Sequence, residues 1–547
     1  MPPRPARASR VRAALHRRGV QAGLIFALLL GAYISNGDIL PGNDAAASVR
    51  LAGKLVTKHK LVFTPEEEPF MFEWPLKNQP GKKAHFRSWH SNLNGEPVRR
   101  AWERGELGTP VPVYNLMPTH HPGAYANRYG VGAALWGVPF VAAVYPFAAD
   151  LYERPSGGLL WYATKFAASC AVAASAVLLF LTALRFVRPM TAVCLAVSYG
   201  LGTSVWSTSS QALWQHAPAG LFLALGTAFL LQRERPWAAY LVGLSYGLAF
   251  VCRPTAAVVL AAVGIHYLMR DRRALLRFVL GGLPAALLLA AYNWRVFGTA
   301  LVLGQMNIGA AVSSLFDAVP VAQAATGTPN GAYFQAPLFE GLAGILLSPS
   351  RGLFVFSPIA VVAVWGLVRV FRDDRFTALR PVAVAVVAMC LITARWFSWW
   401  GGWSYGPRLL LEVVVLLAFL AIPVAEQVRD SRPLRAVFVV CFVWSVAVQG
   451  VGALAYDVVG WNQRTVFVHQ PRQAETRVLF TDEEEARAAL RSQGGTVVAR
   501  PVNVDAPEGH SRLWSVRDSQ LVYYFTRFFE ARRLKQQAIR EFLSDSG

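Results

Sequence analysis

The sequence has 547 residues, of which 54% are hydrophobic and only 16% are charged, and its mean hydropathy is +0.35. A soluble domain carries about 45–50% apolar and about 25% charged residues. Because apolar runs of about 17–25 residues recur from end to end, the composition excludes a disordered, collagen-like, disulfide-stapled or single water-soluble chain. It predicts an all-α polytopic membrane protein.

The charge of the chain is strongly positive, since 53 Lys and Arg against 32 Asp and Glu give a formal net charge of +21. Much of the arginine excess lies in short loops between apolar runs, where the positive-inside rule and anionic membrane lipids explain it. We therefore expect no nucleic-acid partner. All five cysteines lie in apolar runs without metal-ligand spacing, which indicates packing residues rather than disulfides or a zinc site.

The basic N-terminus, residues 1–19, contains no acidic residue and precedes the apolar run 20–35. This pattern predicts an uncleaved signal anchor in the inner (plasma) membrane with a cytoplasmic N-terminus. The long polar stretch 36–128 is then the first extracytoplasmic loop. Later arginine clusters alternate with apolar runs and predict about 11 transmembrane helices within residues 20–455. The spans predicted after 20–35 are 159–186, 190–205, 214–231, 237–252, 255–269, 278–292, 354–370, 380–396, 408–424 and 436–455. The stretch 293–340 is predicted as an outer loop.

Two segments do not fit this alternation. Residues 129–149 are apolar enough to span, but a span there would place Arg185 and Arg188 outside. Their glycines and prolines favour a re-entrant or interfacial helix buried against protein. Residues 456–547 are polar, with a strand-like stretch at 494–504 and a helical end at 526–543, and they predict a small extracytoplasmic α/β domain.

Two carboxylates, Asp38 and Asp44, follow the first apolar run in a turn rich in Gly and Pro. Asp is a favoured N-cap residue, so Asp44 by itself is explained as the cap of a helix over 45–56. The functional alternative is a general base, or a metal ligand, at the membrane surface where a lipid-borne substrate arrives.

Histidines mark two further corners on the predicted outer side. His121 follows His120 before the segment 129–149, but adjacent histidines do not share one helical face, so a polar or substrate-lining corner is favoured over zinc. His216 follows Gln211 and Gln215 at helical spacing beside two tryptophans. The tryptophans are typical of an interfacial belt, and a substrate-contacting role for the polar side chains stays equally open.

The strongest functional signal in the sequence comes from arginines predicted to face outward and from the tryptophan-rich segment 395–408. Arg351 and Arg253 lie at predicted span ends against the positive-inside trend, where an arginine either snorkels or binds an anion. The segment 395–408 contains four tryptophans and three glycines between two arginines. Its last residue, Arg408, suits bidentate phosphate binding. The structural alternative is an i,i+4 ion pair with Glu412 within one helix.

These motifs resemble the GT-C superfamily of polytopic membrane glycosyltransferases, in particular bacterial protein O-mannosyltransferases and aminoarabinose transferases (glycosyltransferase family 39-like). The resemblance rests on the acidic turn, the long first loop, His121-Pro122-Gly123, Trp214-Gln215-His216 and the run from Trp403 to Arg408. It covers residues 20 to 455. It implies a GT-C-like bundle and an inverting sugar transfer from a polyprenyl-phosphate carrier to a hydroxyl of a glycan, lipid or protein on the extracytoplasmic face.

The resemblance also implies roles for individual residues. Asp44, assisted or replaced by Asp38, accepts the proton of the acceptor hydroxyl. Arg408, with Arg351 and His216, stabilises the charge that grows on the departing lipid phosphate.

Trp403 and Tyr405 are expected to shape the sugar pocket, with His121 at its lining. No carboxylate cluster has metal-ligand spacing, so no metal ligands are predicted and a divalent cation is left open. Two other functions are left as alternatives. A transporter or flippase of lipid-linked saccharides would place ionisable residues near mid-span and break its helices. A non-catalytic scaffold would use Asp44 only as a helix cap.

Overall fold

The structure is a computed structural model of the chain. It describes residues 5–40, 43–77, 83–85, 92–93, 96–97, 103–148, 158–232, 234–304, 333–470, 478–480 and 483–544. Parts of the predicted first loop, most of the predicted outer loop 293–340, and Pro41 and Gly42 of the acidic turn lie outside these residues.

Apolar helices form most of the described chain, as the composition predicts. Five are long and apolar enough to cross a membrane: Gly158–Ala183, Arg272–Phe297, Asp374–Arg395, Arg408–Asp430 and Arg432–Ala455. Shorter apolar helices are Arg18–Ile34 (the end of Pro5–Ile34), Val131–Phe147, Pro189–Gly202, His216–Leu230, Ala238–Cys252, Pro254–Arg270, Leu338–Leu347 and Pro358–Arg369. The chain is therefore a helical, multi-pass membrane protein, while the total of 11 spans stays a prediction.

The helices differ from the predicted spans in two places. Residues 354–370 do not form one helix, because the helix Leu353–Phe356 ends before Pro358 and a new one runs over Val361–Arg369. Proline lacks the N–H that would continue the first helix. The helix Leu338–Leu347, at the end of the predicted outer loop, was not predicted.

The doubtful segment 129–149 forms the helix Val131–Val144, which has 14 residues. At about 1.5 Å per residue it is shorter than a hydrocarbon core of about 30 Å, in keeping with the predicted re-entrant helix. Its start is pressed against the helix Ala238–Cys252. A Cβ atom added to Gly130 would lie 2.2 Å from the Cys252 carbonyl oxygen, so glycine is required there.

The first loop contributes the helix Asn43–Thr57 and short antiparallel strands. The strands are Phe72–Pro75, Lys83–His85, Asn92–Leu93, Glu96–Pro97, Val111–Pro112, Leu116–Pro118 and Tyr125–Asn127. The amide of Asn127 donates to the Ser48 hydroxyl at 3.1 Å and ties the last hairpin to the helix. This places Tyr114 and Tyr129 beside the start of that helix.

The C-terminal segment, residues 456–547, contains an antiparallel sheet and helices. Its strands are Gln463–Gln470, Val478–Phe480 and Thr496–Asn503, with the first strand in the centre, and its helices are Glu483–Gln493, Gln520–Thr526 and Phe528–Ser544. The last helix docks on the membrane helices, since Lys535 donates to the Ala453 carbonyl at 2.9 Å and forms an ion pair with Asp38 at 3.2 Å. The predicted strand and terminal helix are thus both present.

Candidate active site

Asp44 lies in the first turn of the helix Asn43–Thr57, one residue after the helix begins. Its hydrogen bonds come from other parts of the chain. The Tyr129 hydroxyl donates to Oδ1 at 2.9 Å, the Tyr114 hydroxyl donates to the same atom, and Arg408 donates to Oδ2 in an ion pair. The interpretation of Asp44 as the N-cap is therefore corrected: its carboxylate faces side chains of distant segments.

The surroundings of Asp44 keep it ionised. Burial alone would raise the pKa of its carboxyl group, but the Arg408 guanidinium and the two tyrosine hydroxyls outweigh burial and hold the pKa below its usual range. The side chain is still 18% exposed, so a substrate can reach it.

Arg408 begins the short 3-10 turn that leads into the helix Leu411–Leu420. Its guanidinium lies over the Trp214 ring, 4.9 Å from the centroid, and pairs with Asp44. Its Nε atom is buried and has no hydrogen-bond partner among the described residues. Arg408 thus retains a donor that an anionic ligand could use.

Glu412 is not the partner of Arg408, so the i,i+4 alternative is wrong. The two side chains diverge from the helix start, and Glu412 instead pairs with His216 and Arg253 at 2.8 Å and 3.3 Å. His216 Nδ1 contacts the carboxylate, and Arg253 Nη1 lies 2.7 Å from Nδ1 and 2.8 Å from Nε2 of the same ring.

Apart from Glu412, these side chains line a cavity of about 2330 Å³. The described lining is mostly apolar, and its charged residues have a positive excess, with six basic residues against four acidic ones: Arg50, Arg128, Arg253, Arg395, Arg408 and Lys535 against Asp44, Glu73, Asp457 and Asp505. One wall is apolar and comes from Val258, Leu338, Met389 and Ile392. The cavity combines a surface for an anion with a surface for hydrocarbon, which suits a lipid phosphate.

Arg351, predicted to bind phosphate, does not line this cavity. It is 1% exposed, and its donors bond the carbonyls of Trp400 and Gly402 and the side chains of Gln520 and Asn462 at 2.7–3.2 Å. Because these acceptors occupy its guanidinium, Arg351 braces the tryptophan-rich segment against the C-terminal segment. The predicted phosphate contact is corrected on this ground.

Three other predicted residues also lie away from the described lining. Tyr405 is buried and donates to the Val448 carbonyl at 2.9 Å. Asp38 is buried against Lys535. His121 is exposed, and its ring lies 3.7 Å from that of His120. By contrast, the structure brings the predicted residues Asp44, Arg408, His216 and Trp403 to one cavity.

Sequence reasoning missed several residues at this site. Tyr114 stands in an unremarkable Val-Pro-Val-Tyr run, and Tyr129 gave no signal beyond the start of an apolar segment. The position of Arg253 at an outward span end did signal an anion-binding role. The described residues hold no group of three or more His, Cys, Asp and Glu that could bind a metal. The divalent cation is left open.

Comparison with known proteins gives similarities of structure only. No protein-family model and no curated protein sequence matches the chain. ArnT from Cupriavidus metallidurans, solved with undecaprenyl phosphate, is similar at 10% identity and a TM-score of 0.44, over 98% of this chain and 76% of that one.

The oligosaccharyltransferase of Archaeoglobus fulgidus is similar in two crystal structures. The apo form has 12% identity and a TM-score of 0.45 over 80% of this chain, and the complex with zinc and sulfate has 12% and 0.44 over 79%. This chain spans 56% and 53% of their lengths. Scores this low give no residue correspondence.

Proposed function

We propose that this protein is an inverting glycosyltransferase that moves a sugar from a polyprenyl-phosphate carrier to an acceptor hydroxyl at the extracytoplasmic membrane surface. The observation that carries the proposal is the pairing of Asp44 with Arg408 inside a cavity that has both a cationic and an apolar wall. A carboxylate base and a phosphate-binding guanidinium are the two groups that this reaction requires.

The donor would bind with its phosphate at Arg408 and its hydrocarbon chain along the apolar wall. The buried Nε atom of Arg408 lacks a partner among the described residues, and a phosphate oxygen would supply one. Arg253 adds positive charge from the same cavity, with Glu412 and His216 behind it. A guanidinium binds phosphate through two parallel hydrogen bonds, which a single ammonium cannot reproduce.

The transfer itself would use Asp44 as the base. The carboxylate accepts the proton of the acceptor hydroxyl while that oxygen bonds to the anomeric carbon. The bond from the anomeric carbon to the phosphate oxygen breaks, and its electron pair leaves with the polyprenyl phosphate, whose growing charge Arg408 stabilises. Attack opposite to the leaving group inverts the anomeric configuration.

The direct ion pair of Asp44 and Arg408 would have to open for transfer, because no sugar fits between two groups in hydrogen-bond contact. Donor phosphate would bind Arg408 and separate it from Asp44. Tyr114 and Tyr129 would keep the released carboxylate in place through their hydroxyl groups. The substrates would thus replace the interaction between Asp44 and Arg408.

The test uses the purified full-length protein in detergent with a panel of polyprenyl-phosphate sugars, and it measures sugar release and transfer. We expect turnover with at least one donor and its loss in Asp44→Asn. Asp374→Asn is the matched control, because that carboxylate is 95% exposed and far from the cavity lining. If both variants and the unmodified protein turned over equally, Asp44 would not be the base.

A transporter would give a different result. In sealed vesicles it would move the lipid-linked saccharide between leaflets without breaking the bond from sugar to phosphate. Intact donor in the opposite leaflet, with no free polyprenyl phosphate, would overturn the transferase proposal. A scaffold would give neither release nor movement with any donor in the panel.

A further inference from the structure

The C-terminal segment contributes polar side chains to the same cavity. Asp505, next to the end of the strand Thr496–Asn503, accepts a hydrogen bond from the Trp400 indole at 2.7 Å through Oδ1. The His510 ring lies against Trp400, with 4.4 Å between centroids. Both residues line the cavity together with Trp403, which is partly exposed. The tryptophan-rich segment and the C-terminal segment therefore share one wall.

This wall is next to Arg408. A Cβ atom added to Gly402 would lie 3.8 Å from Arg408 Nη2 and 3.9 Å from Asp505 Oδ1, so the guanidinium and the carboxylate flank one point. Gly402 has φ of +65°, a conformation that a larger residue would resist. The glycine keeps the space between the two charged groups open. A ligand group at that point would contact both Arg408 and Asp505.

Hydrogen-bonding capacity at this wall is left unused. Asp505 is exposed, so its carboxylate can be reached by a ligand, and its loop is fixed because the Asn503 side chain accepts from the Asp505 backbone N–H at 2.9 Å. His510 Nε2 is buried and lacks a hydrogen-bond partner among the described residues. Buried polar atoms normally have partners, so an unpaired nitrogen on a cavity wall indicates a ligand group.

We propose that Asp505, His510 and Trp403 form a pyranose-binding subsite adjacent to Arg408. Trp403 offers an aromatic face to the C–H face of the ring, while Asp505 and His510 bond its hydroxyls. Trp400 is a positioning residue, since its indole holds the carboxylate. The subsite deepens the transferase proposed above and rests on it for its role in transfer. The pyranose would be either the sugar on the donor or a unit of a glycan acceptor.

Binding is tested directly by saturation-transfer NMR on the full-length protein with methyl pyranosides of mannose, galactose, glucose and N-acetylglucosamine. We expect at least one to bind, and we expect Asp505→Asn and His510→Ala to weaken it roughly tenfold each, the usual effect of losing a hydrogen bond to a charged or buried group. Glu508→Gln is the matched control, because Glu508 shares the helix Pro507–Leu513 but lies on a separate depression. The subsite would be overturned if no pyranoside bound, or if the unmodified protein and the three variants bound the same pyranoside equally well.

Kinetics then separate the two sources of the sugar. If Asp505→Asn raises KM for the acceptor and leaves donor hydrolysis without acceptor unchanged, the subsite holds an acceptor glycan. If it raises KM for the donor in both reactions, the subsite holds the donor sugar. Unchanged constants in both reactions would overturn the subsite and leave the transferase standing. Pyranoside binding that the variants weaken, in a protein that turns over no donor, would overturn the transferase and leave the subsite standing.

Discussion

Arg408 is the last residue of the tryptophan-rich segment and Arg351 bonds the backbone of that segment, but the two arginines have opposite surroundings. Arg408 has one ionic partner, an unused donor atom and an open cavity in front of it. Arg351 lies behind the segment and bonds carbonyl and amide oxygens only, with the Trp461 ring 5.0 Å away. One arginine can exchange its partner for a ligand, whereas the other cannot move without leaving several buried acceptors unpaired.

This difference gives a physical rule for the site. Arg408 is a binding group, because it has an unused donor and a counter-ion that a substrate can replace. Arg351 is a structural group, because buried acceptors already use the hydrogen-bonding capacity of its guanidinium. Charge alone does not separate them, because both are arginines at the ends of predicted spans. The predictions below test this division, beginning with the counter-ion of Arg408.

Asp44→Asn should have the largest effect. The amide cannot accept the proton, so transfer should fall by about 10²–10⁴-fold, the range for general-base catalysis. The amide also cannot form the ion pair, but it can still accept from Tyr129, so the melting temperature should change little. Transfer assays and thermal melts of the variant measure both quantities. A variant that retains full transfer would leave the carboxylate with only a structural role.

Arg408→Lys should have the next largest effect. The ammonium keeps the charge but loses the planar fork, so transfer should fall by roughly 10- to 100-fold, the value of a charge-assisted hydrogen bond. Steady-state assays with saturating acceptor measure it. The melting temperature should stay near that of the unmodified protein. A large loss of stability with unchanged turnover would show that Arg408 stabilises the fold and does not bind the phosphate.

Arg351→Lys should give the reverse pattern. Lysine cannot reach all the acceptors that surround the guanidinium, and each unpaired buried group costs about 1–3 kcal/mol. The melting temperature should therefore fall by several degrees, while turnover per folded molecule is retained. Comparing folded fraction by gel filtration with activity separates the two. Loss of turnover in a fully stable protein would contradict the division.

Asp38→Asn should have a smaller effect, and on stability alone. Lys535 would keep its hydrogen bond to the Ala453 carbonyl but lose its ionic partner. The docking of the helix Phe528–Ser544 should therefore be destabilised by about 1–3 kcal/mol. Burial lowers the pKa of Lys535 and Asp38 opposes that shift, so the variant should lower this pKa further. Hydrogen exchange over the helix measures the loosening. A fall in turnover comparable with that of Asp44→Asn would instead restore Asp38 as a base.

The pH dependence should show the smallest effect. The pKa of Asp44 is lowered in the free protein, so the acidic limb of kcat/KM for the donor should lie below about pH 4. Above that limb the carboxylate is ionised and paired, and the pairing is lost as pH falls through the lowered pKa. With donor bound, Arg408 faces phosphate, the pKa of Asp44 rises and the acidic limb of kcat should lie at a higher pH than that of kcat/KM. Coinciding limbs would show that the ion pair persists in the complex.

The sequence predicted the helical membrane part well, because each apolar run carries its own signal of length and composition. The predicted helix boundaries were wrong where a single residue interrupts an apolar run, as at Pro358, which breaks the predicted span 354–370. The acidic turn and the segment ending at Arg408 were both predicted to be functional from the sequence motifs. Their contact was not predictable, since it joins residues 364 positions apart.

The rest of the site depends on packing that no local pattern encodes. Arg351 and Arg408 look alike in sequence, and only the three-dimensional neighbours of each guanidinium separate them. Glu412 was assigned to Arg408 by helical spacing, yet the neighbouring helix offers it His216. Asp505 and His510 lie in a polar segment without a motif, so their place at the cavity came only from how the C-terminal segment docks.

The separation of Asp44 from Arg408 along the chain has a consequence during synthesis. At about 5–20 residues per second, the ribosome adds the intervening 364 residues over some tens of seconds. Throughout that time the carboxylate has left the ribosome without the arginine that will pair with it, so nascent or truncated chains contain no working site. The pair therefore reports that synthesis has reached the start of the helix Arg408–Asp430, and under the proposed function a truncation before residue 408 would be inactive however well its first helices insert.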